Sequence, residues 1–212
     1  QFHHWVRTLR RGARLVVNAR EDSLQRVLAK GCYSEIVRFG GKDSAGWAAV
    51  GADEHFAAHR DGETVATVDW NIIGEHNQLN ALAAMAAAEH VGVSPTQSAK
   101  ALGSFENVKR RMETRGVAGG VTVYDDFAHH PSAIRTTLDG LRRKLGSNAR
   151  ILAVFEPRSN TMKLGAMKAQ LPWSLEDADL AFCHSGDLGW DAREALVPMG
   201  VRAFVADSTD AP

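Results

Sequence analysis

One stretch of the sequence brings carboxylates, imidazoles and a helix start together. In "VYDDFAHHPSAI", Asp125 and Asp126 follow an apolar run, and His129 and His130 come directly before Pro131. Proline favours the first turn of a helix, where its fixed φ fits and its missing N–H is not needed. The carboxylates could accept hydrogen bonds from sugar hydroxyls, and the imidazoles could face a phosphate or a substrate. Helix capping by one Asp beside a solvated His pair is the alternative, but four polar groups exceed what a cap requires.

A second polar group follows another apolar run, in "FEPRSNTMKLG". Its polar residues are Glu156, Arg158, Ser159, Asn160 and Thr161. A guanidinium binds a carboxylate as a two-pronged fork. Ser, Asn and Thr are also good helix caps, which explains one of these side chains but not all of them. The stretch therefore predicts a binding site, with Arg158 suited to a carboxylate.

Two further polar groups have a weaker pattern. "CHSGDLGW" contains His184, Ser185 and Asp187 without the spacing of a catalytic triad, which favours a solvated loop. The basic run at 109–111 is typical of a solvated face. In a hinge between two domains, one of its arginines could instead reach a phosphate.

Amides occur at the start of a long alanine-rich segment, "GEHNQLNALAAMAAAEH". Asn77 and Asn80 are three residues apart, so both would lie on one face of a helix, with His76 beside them. Asn is a poor helix former, and a helix N-terminus offers free N–H groups and partial positive charge. Two amides there could bind a purine edge, which has donors and acceptors. A cap plus one solvated Asn is the favoured interpretation when this stretch is considered alone.

The elements that position these groups differ between the two halves of the chain. After the glycine pair at 119–120, continuous apolar strands alternate with amphipathic helices, which predicts an α/β fold with a doubly wound, mostly parallel sheet of four strands. Ligands bind at the carboxyl ends of such strands. The predicted strands are "VTVYDDF", "ILAVFEP", "ADLAFCH" and "VRAFVAD", and the predicted helices are "PSAIRTTLDGLRRKLG", "NTMKLGAMKAQL" and "DAREALVPMG".

The first half predicts a mixed α/β arrangement. A buried strand at 15–19 precedes a helix capped by Asp22, and short antiparallel strands at 46–70 turn at an Asp-Gly pair. A long helix covers 77–91, and Ser94 caps the next one. The charged stretch near 111–116 predicts a domain boundary, which gives domains at 1–110 and 111–212.

Composition excludes several function classes. The chain has 25 basic and 25 acidic residues and no long apolar run, so we expect no nucleic-acid partner and no membrane span. The first residues lack the apolar core of a secretory signal, and Cys32 and Cys183 fit a reducing cytoplasm. Neither cysteine has metal-ligand spacing, so no protein-bound metal ligand is predicted. No G-x-x-x-x-G-K-[ST] or G-x-G-x-x-G phosphate loop occurs.

Three stretches together resemble the Mur ligases, the ATP-dependent amide-forming enzymes of bacterial cell-wall synthesis. They are "GEHNQLNALAAMAAAEHVGVSP", "GSFENVKRRMETRG" and "VTVYDDFAHHPSAI". "FHHWVRT" and "AKGCYSE" near the start are also similar, so the resemblance covers nearly the whole chain in order. "EPRSNTM" favours the member of the family that adds a tripeptide in peptidoglycan recycling over the member that adds L-alanine.

The resemblance implies part of a central ATPase domain at 1–110 and an incomplete Rossmann-like C-terminal domain at 111–212. A first domain and the phosphate loop would precede Gln1, so we expect a fragment that is inactive alone. The implied cofactors are ATP and Mg²⁺, and the implied substrates are UDP-N-acetylmuramate and the L-alanyl-γ-D-glutamyl-meso-diaminopimelate tripeptide. A non-catalytic module that binds a nucleotide or a peptide is the alternative from another class.

The resemblance also implies roles for individual residues. Those expected near ATP are His76, Asn77, Asn80, Arg111 and Asp126, with Arg111 at the phosphates and Asp126 at the ribose. Those expected at the peptide substrate are His130, Arg158, Ser159, Asn160 and Thr161. Arg111, Asp126 and His129 are the predicted catalytic group.

Overall fold

The structure, a computed structural model, describes residues 1–41 and 45–208. The chain divides into two units, Gln1–Glu106 and Asn107–Pro212. The division falls a few residues before the predicted domain boundary at 110/111. Within the described ranges, no helix is long and apolar enough to cross a membrane.

The described part of the first unit places helices beside a mixed sheet. The strand order is β1-β2-β3-β4-β5, with parallel pairing from β1 to β3 and antiparallel pairing from β3 to β5. The strands are β1 Arg14–Asn18, β2 Glu35–Phe39, β3 Trp47–Ala52, β4 His55–Arg60 and β5 Glu63–Asp69. The helices are α1 Phe2–Thr8, α2 Asp22–Leu28, α3 Glu75–His90 and α4 Pro95–Gly103.

The alanines of α3 are explained by packing against this sheet. Ala81 and Ala86 are buried with Leu82 and Met85 in the same core as the large side chains of the sheet, Trp47 among them. Small side chains allow a helix and a sheet to approach closely. The antiparallel turn is confirmed at Asp61 and Gly62, where both residues have positive φ.

Two predicted helix starts differ in outcome. Ser94 is confirmed as the cap of α4, with a reciprocal pair of hydrogen bonds to Gln97. Asp22 is not the cap of α2, because Glu21 occupies that position and Asp22 is the first helical residue. Its carboxylate still suits the first turn, where the helix dipole favours negative charge.

The second unit contains a parallel sheet and a separate hairpin. The sheet order is β10-β9-β8, all parallel, and the hairpin pairs β6 with β7 in antiparallel fashion. Its strands are β6 Glu113–Ala118, β7 Val121–Asp125, β8 Leu152–Phe155, β9 Leu180–His184 and β10 Ala203–Ala206. Its helices are α5 Pro131–Leu145, α6 Asn160–Lys163, α7 Leu171–Ser174 and α8 Ala192–Leu196, with 3-10 turns at Lys168–Gln170 and Val197–Arg202.

The α/β class with a parallel sheet is confirmed, but the predicted four-stranded sheet is wrong in the described part of the chain. β7 pairs only with β6, because Gly119 and Gly120 both take positive φ and reverse the chain between them. The polar, exposed β6 lies where the sequence predicted a linker. Its alternation is too weak to predict a strand.

The predicted helix at 160–171 is also wrong in length. α6 ends at Lys163, and Gly165 has φ +71. A Cβ on Gly165 would lie 2.8 Å from Cδ1 of Trp190, so the chain passes this indole only as glycine. A short 3-10 turn and α7 complete the segment.

Candidate functional site

The start of α3 is held on the turn between β3 and β4. The backbone N–H of Gly74 donates to Oδ2 of Asp53 at 2.8 Å, and the indole of Trp70 donates to the Asp53 carbonyl at 2.8 Å. The buried Gln78 donates to the Ala52 carbonyl at 2.9 Å. Because these contacts come from residues on both sides of the helix start, the first turn of α3 is fixed against the sheet.

The two amides of this first turn lie on the same face. Nδ2 of Asn77 donates to the Ile73 carbonyl at 2.7 Å, and Nδ2 of Asn80 donates to Oδ1 of Asn77 at 3.3 Å. Asn77 is therefore engaged within the protein and orients Asn80, which is exposed. Beside them, the half-buried ring of His76 lies so close to Gly74 that a Cβ there would overlap it. The helix start thus presents one oriented amide and one fixed imidazole.

An arginine that the sequence did not predict as a site residue links this helix start to the parallel strands. Arg20 donates to Oε1 of Glu75 at 2.6 Å and to the Gly40 carbonyl at 2.5 Å. Arg20 and Glu75 are far apart in the sequence, and no motif connects them. The pairing of β1 with β2 brings this arginine beside Gly40, and the packing of α3 against these strands brings it to Glu75.

In the second unit, the Asp126 carboxylate links three segments through hydrogen bonds. It accepts from the backbone N–H of Met112 at 2.8 Å, from that of Ala128 at 2.8 Å and from the hydroxyl of Thr137 at 3.3 Å. Met112 has φ +50, a conformation that is rare for a residue with a side chain. Asp126 therefore holds the segment before β6 in its conformation. Its role at a ribose stays a prediction.

Two arginines surround an exposed aromatic ring in the same region. The guanidinium carbons of Arg110 and Arg111 lie 5.3 Å and 5.8 Å from the ring centroid of Phe127. Arg110 also binds Asp125, with Nε 3.4 Å from Oδ1, whereas Arg111 is exposed and is held through its carbonyl by Asn107. The Arg111 guanidinium is thus oriented over a ring and open to an anion.

The basic run also stabilises the ionised form of a neighbouring carboxylate, that of Glu113. The backbone N–H of Arg110 donates to Glu113, and this bond, aided by Arg115, lowers the pKa of the Glu113 carboxyl below its usual value. The Glu113 carboxyl is therefore ionised near neutral pH, beside the basic run that is expected to bind phosphates.

The adjacent histidines have separate environments. Nδ1 of His129 lies 2.9 Å from the carbonyl of Phe127, and its ring stands edge-on to that aromatic ring at 4.9 Å. Nδ1 of His130 lies 2.9 Å from Oγ of Ser132, at the start of α5. The exposed His129 is therefore oriented by Phe127, while His130 belongs to the helix start.

The polar residues after β8 are brought to the same place as His129. Oγ of Ser159 donates to the His129 carbonyl at 3.3 Å and also caps α6. Asn160 and Thr161 follow in the exposed first turn of α6. The side chain of Arg158 is 77% exposed, and its Nε lies 3.4 Å from Oε1 of Glu156. One of the predicted side chains is thus the helix cap, and the others are open to a ligand.

The structure adds a histidine that the sequence placed at the end of a predicted strand but did not favour as a site residue. His184 is the last residue of β9, and its Nδ1 lies 3.9 Å from Oε1 of Glu156. Burial raises the pKa of the neighbouring Cys183 thiol to about 11, helped by the negative charge of Glu156. Across residues 1–41 and 45–208, no group of three or more His, Cys, Asp or Glu side chains could hold a metal ion.

Comparison with known proteins assigns the chain to a family. Residues 110–211 match the family described as Mur ligase, glutamate ligase domain. Over 199 residues, 92% of the chain, it is 50% identical to the UDP-N-acetylmuramate–L-alanyl-γ-D-glutamyl-meso-2,6-diaminoheptandioate ligase of Escherichia coli strain K12. The chain belongs to the Mur ligase family.

Two further comparisons show how similar the chain is to other members of the family. A crystal structure of a murein peptide ligase from Psychrobacter arcticus superposes with a TM-score of 0.69 and 37% identity, covering 99% of this chain and 46% of that one. A UDP-N-acetylmuramate–L-alanine ligase of Anaeromyxobacter dehalogenans is 35% identical over 72% of this chain and 32% of its own length. The chain covers less than half of the Escherichia coli ligase, since it spans 43% of the length of that relative.

Proposed function

We propose that the chain is part of an ATP-dependent ligase that joins L-alanyl-γ-D-glutamyl-meso-diaminopimelate to UDP-N-acetylmuramate in the cytoplasm, for peptidoglycan recycling. The observation that carries this proposal is the 50% identity to a ligase of that name over 92% of the chain, against 35% over 72% for an L-alanine ligase. The exposed polar residues after β8 support it, because a peptide with several carboxylates needs a basic partner such as Arg158.

The two units would supply different parts of this reaction. In the first unit, the oriented Asn80 amide and the ring of His76 at the start of α3 fit an adenine edge. In the second unit, the exposed Arg111 guanidinium suits the phosphates of ATP, whose charge Mg²⁺ would also neutralise. ATP supplies the phosphoryl group that activates the lactyl carboxylate of UDP-N-acetylmuramate as an acyl phosphate.

The residues of the second unit would then position the peptide amine. Arg158, Asn160 and Thr161 bind the peptide, and the backbone of His129 lies next to them through its contact with the Ser159 hydroxyl. Attack by the amine gives a tetrahedral intermediate that collapses to an amide with loss of phosphate. Most of the rate enhancement in such a reaction comes from positioning and charge neutralisation. This accounts for the arginines and amides among the candidate residues.

The first experiment measures phosphate release by the complete ligase with ATP, Mg²⁺ and UDP-N-acetylmuramate. One reaction receives the tripeptide and a matched reaction receives L-alanine. We expect release with the tripeptide only. Release with L-alanine only would keep the family and replace the substrate, and release with neither would favour a non-catalytic binding module.

A further inference from the structure

His184 and Glu156 come together because of the register of two parallel strands. Phe155 of β8 pairs with Cys183 of β9, so the next residues along each strand, Glu156 and His184, are lateral neighbours. Side chains of lateral neighbours in a parallel sheet project from the same face, about 5 Å apart. Both lie at the carboxyl end of the sheet, which is the edge where ligands of such sheets bind.

The glycine that follows makes room for the histidine ring. A Cβ on Gly186 would lie 2.8 Å from Cε1 of His184, so the ring rests against a backbone that only glycine leaves open. Its Nδ1 lies 3.9 Å from Oε1 of Glu156. The side chain is 34% exposed. The imidazole is thus confined at its Cε1 end by the Gly186 backbone and keeps part of its surface open to solvent.

Glu156 brings a second basic group to the same place. The carboxylate oxygen beside His184 also lies 3.4 Å from Nε of Arg158. A guanidinium has five N–H donors and an imidazole has at least one, so this single carboxylate does not use all the donors of the two groups. A carboxylate of a ligand would accept from Arg158 and His184 together.

We propose that His184 is a further specificity-determining residue of the ligase, which together with Arg158 binds the distal carboxylate of the peptide's diaminopimelate residue, the carboxylate that lysine lacks. The inference rests on the proposed function, since it assumes that Arg158 is at the peptide site. Its occupant is a peptide carboxylate, because the donors converge at the strand ends beside the exposed first turn of α6. His184 binds this group, and we assign it no role in ATP binding.

The test compares His184→Gln with the wild type in the complete ligase. We expect the KM for the diaminopimelate tripeptide to rise about tenfold, as for the loss of one hydrogen bond to a charged group. The KM for ATP and kcat stay unchanged. His184→Arg, which keeps an N–H donor at this position, should retain a KM within about threefold of the wild type.

A second peptide separates carboxylate binding from a general disturbance. The matched tripeptide with L-lysine in place of diaminopimelate lacks one carboxylate. The rise in KM caused by His184→Gln should be confined to the diaminopimelate peptide. The control variant is His55→Gln, since His55 also lies near a carboxylate, with Nδ1 3.7 Å from Oδ2 of Asp69, but in the first unit. This variant should leave both peptides unaffected.

Each outcome decides the proposal. A wild-type KM in His184→Gln, an equal rise for both peptides, or a failure of His184→Arg to restore binding would overturn it. If His184→Gln shows no cooperative thermal melt, His184→Arg is measured in its place with both peptides. A KM for the diaminopimelate peptide close to that of the wild type would support the proposal. Loss of the preference for the diaminopimelate peptide over the lysine peptide would overturn it. A wild-type ligase without tripeptide-dependent phosphate release would overturn the proposed function, and this inference with it.

Discussion

Asp126 and Arg111 contrast at the scale of single residues, although both are predicted to act at ATP. The Asp126 carboxylate accepts from three donors of the protein itself, two of them backbone N–H groups. The Arg111 side chain is exposed, and its guanidinium has the Phe127 ring as its neighbour. Asp126 is therefore needed for the local structure as well as for any ligand, whereas Arg111 is available to the ligand alone.

This contrast predicts different effects of alanine at the two positions in the complete ligase. Both variants should lower turnover at least tenfold. Asp126→Ala leaves partly buried donors unpaired and should also reduce the free energy of unfolding by about 1–3 kcal/mol. Arg111→Ala should leave unfolding within about 0.5 kcal/mol of the wild type. The measurements are steady-state phosphate release and denaturant melts.

Asp139→Ala provides the control for this pair. Asp139 is half-exposed and pairs with Arg143 one helical turn away in α5, a contact that contributes little to stability. Turnover and stability should therefore both stay close to the wild type. Equal losses of stability in the Asp126 and Arg111 variants would contradict the assignment of separate roles.

At the scale of elements, the start of α3 depends on a backbone conformation that only glycine adopts readily. Gly74 has φ +100, its N–H is bound by Asp53, and the ring of His76 occupies the space that a Cβ would need. Gly92, after the other end of α3, has a similar φ of +90 with open space around it. Alanine at either glycine would therefore strain the backbone, but only alanine at Gly74 would also clash with the His76 ring.

Gly74→Ala should be more destabilising than Gly92→Ala for that reason. Positive φ at a residue with a side chain costs about 1 kcal/mol, which both variants share. Only Gly74→Ala also displaces His76, so it alone should raise the KM for ATP in the complete ligase. Thermal melts and ATP titrations of both variants provide the test. An unchanged KM for ATP in Gly74→Ala would argue against adenine binding at this helix start.

The elements also show how far the sequence could predict the site. Local signals were sufficient for the capping of α4 by Ser94, the turn at Asp61 and Gly62, and the polar groups after β8. Three features depend on contacts between distant parts of the chain. Trp190 ends α6 through Gly165, β6 exists only because β7 pairs with it, and His184 meets Glu156 through strand register. No local periodicity encodes such partners.

At the scale of the whole molecule, the chain carries candidate groups for the base of ATP and for the peptide, but no phosphate-cradling loop. The G-x-x-x-x-G-K-[ST] pattern is absent from the 212 residues, and the chain spans 43% of the Escherichia coli relative. Backbone N–H groups of such a loop hold the β- and γ-phosphates during transfer. Without them the γ-phosphate is not aligned with the carboxylate, even when Arg111 is present.

We therefore predict that the 212-residue chain releases less than about 1% of the phosphate that the complete ligase releases, because misalignment alone lowers rates about a hundredfold or more. Circular dichroism and a cooperative melt of the chain would show that it is folded under the assay conditions. The matched control is the complete ligase with the lysine of the expected G-x-x-x-x-G-K-[ST] loop changed to alanine, which should be equally inactive. Turnover by the folded chain near that of the complete ligase would contradict the requirement for a phosphate loop outside these residues, since the phosphates would then be held by residues within this chain.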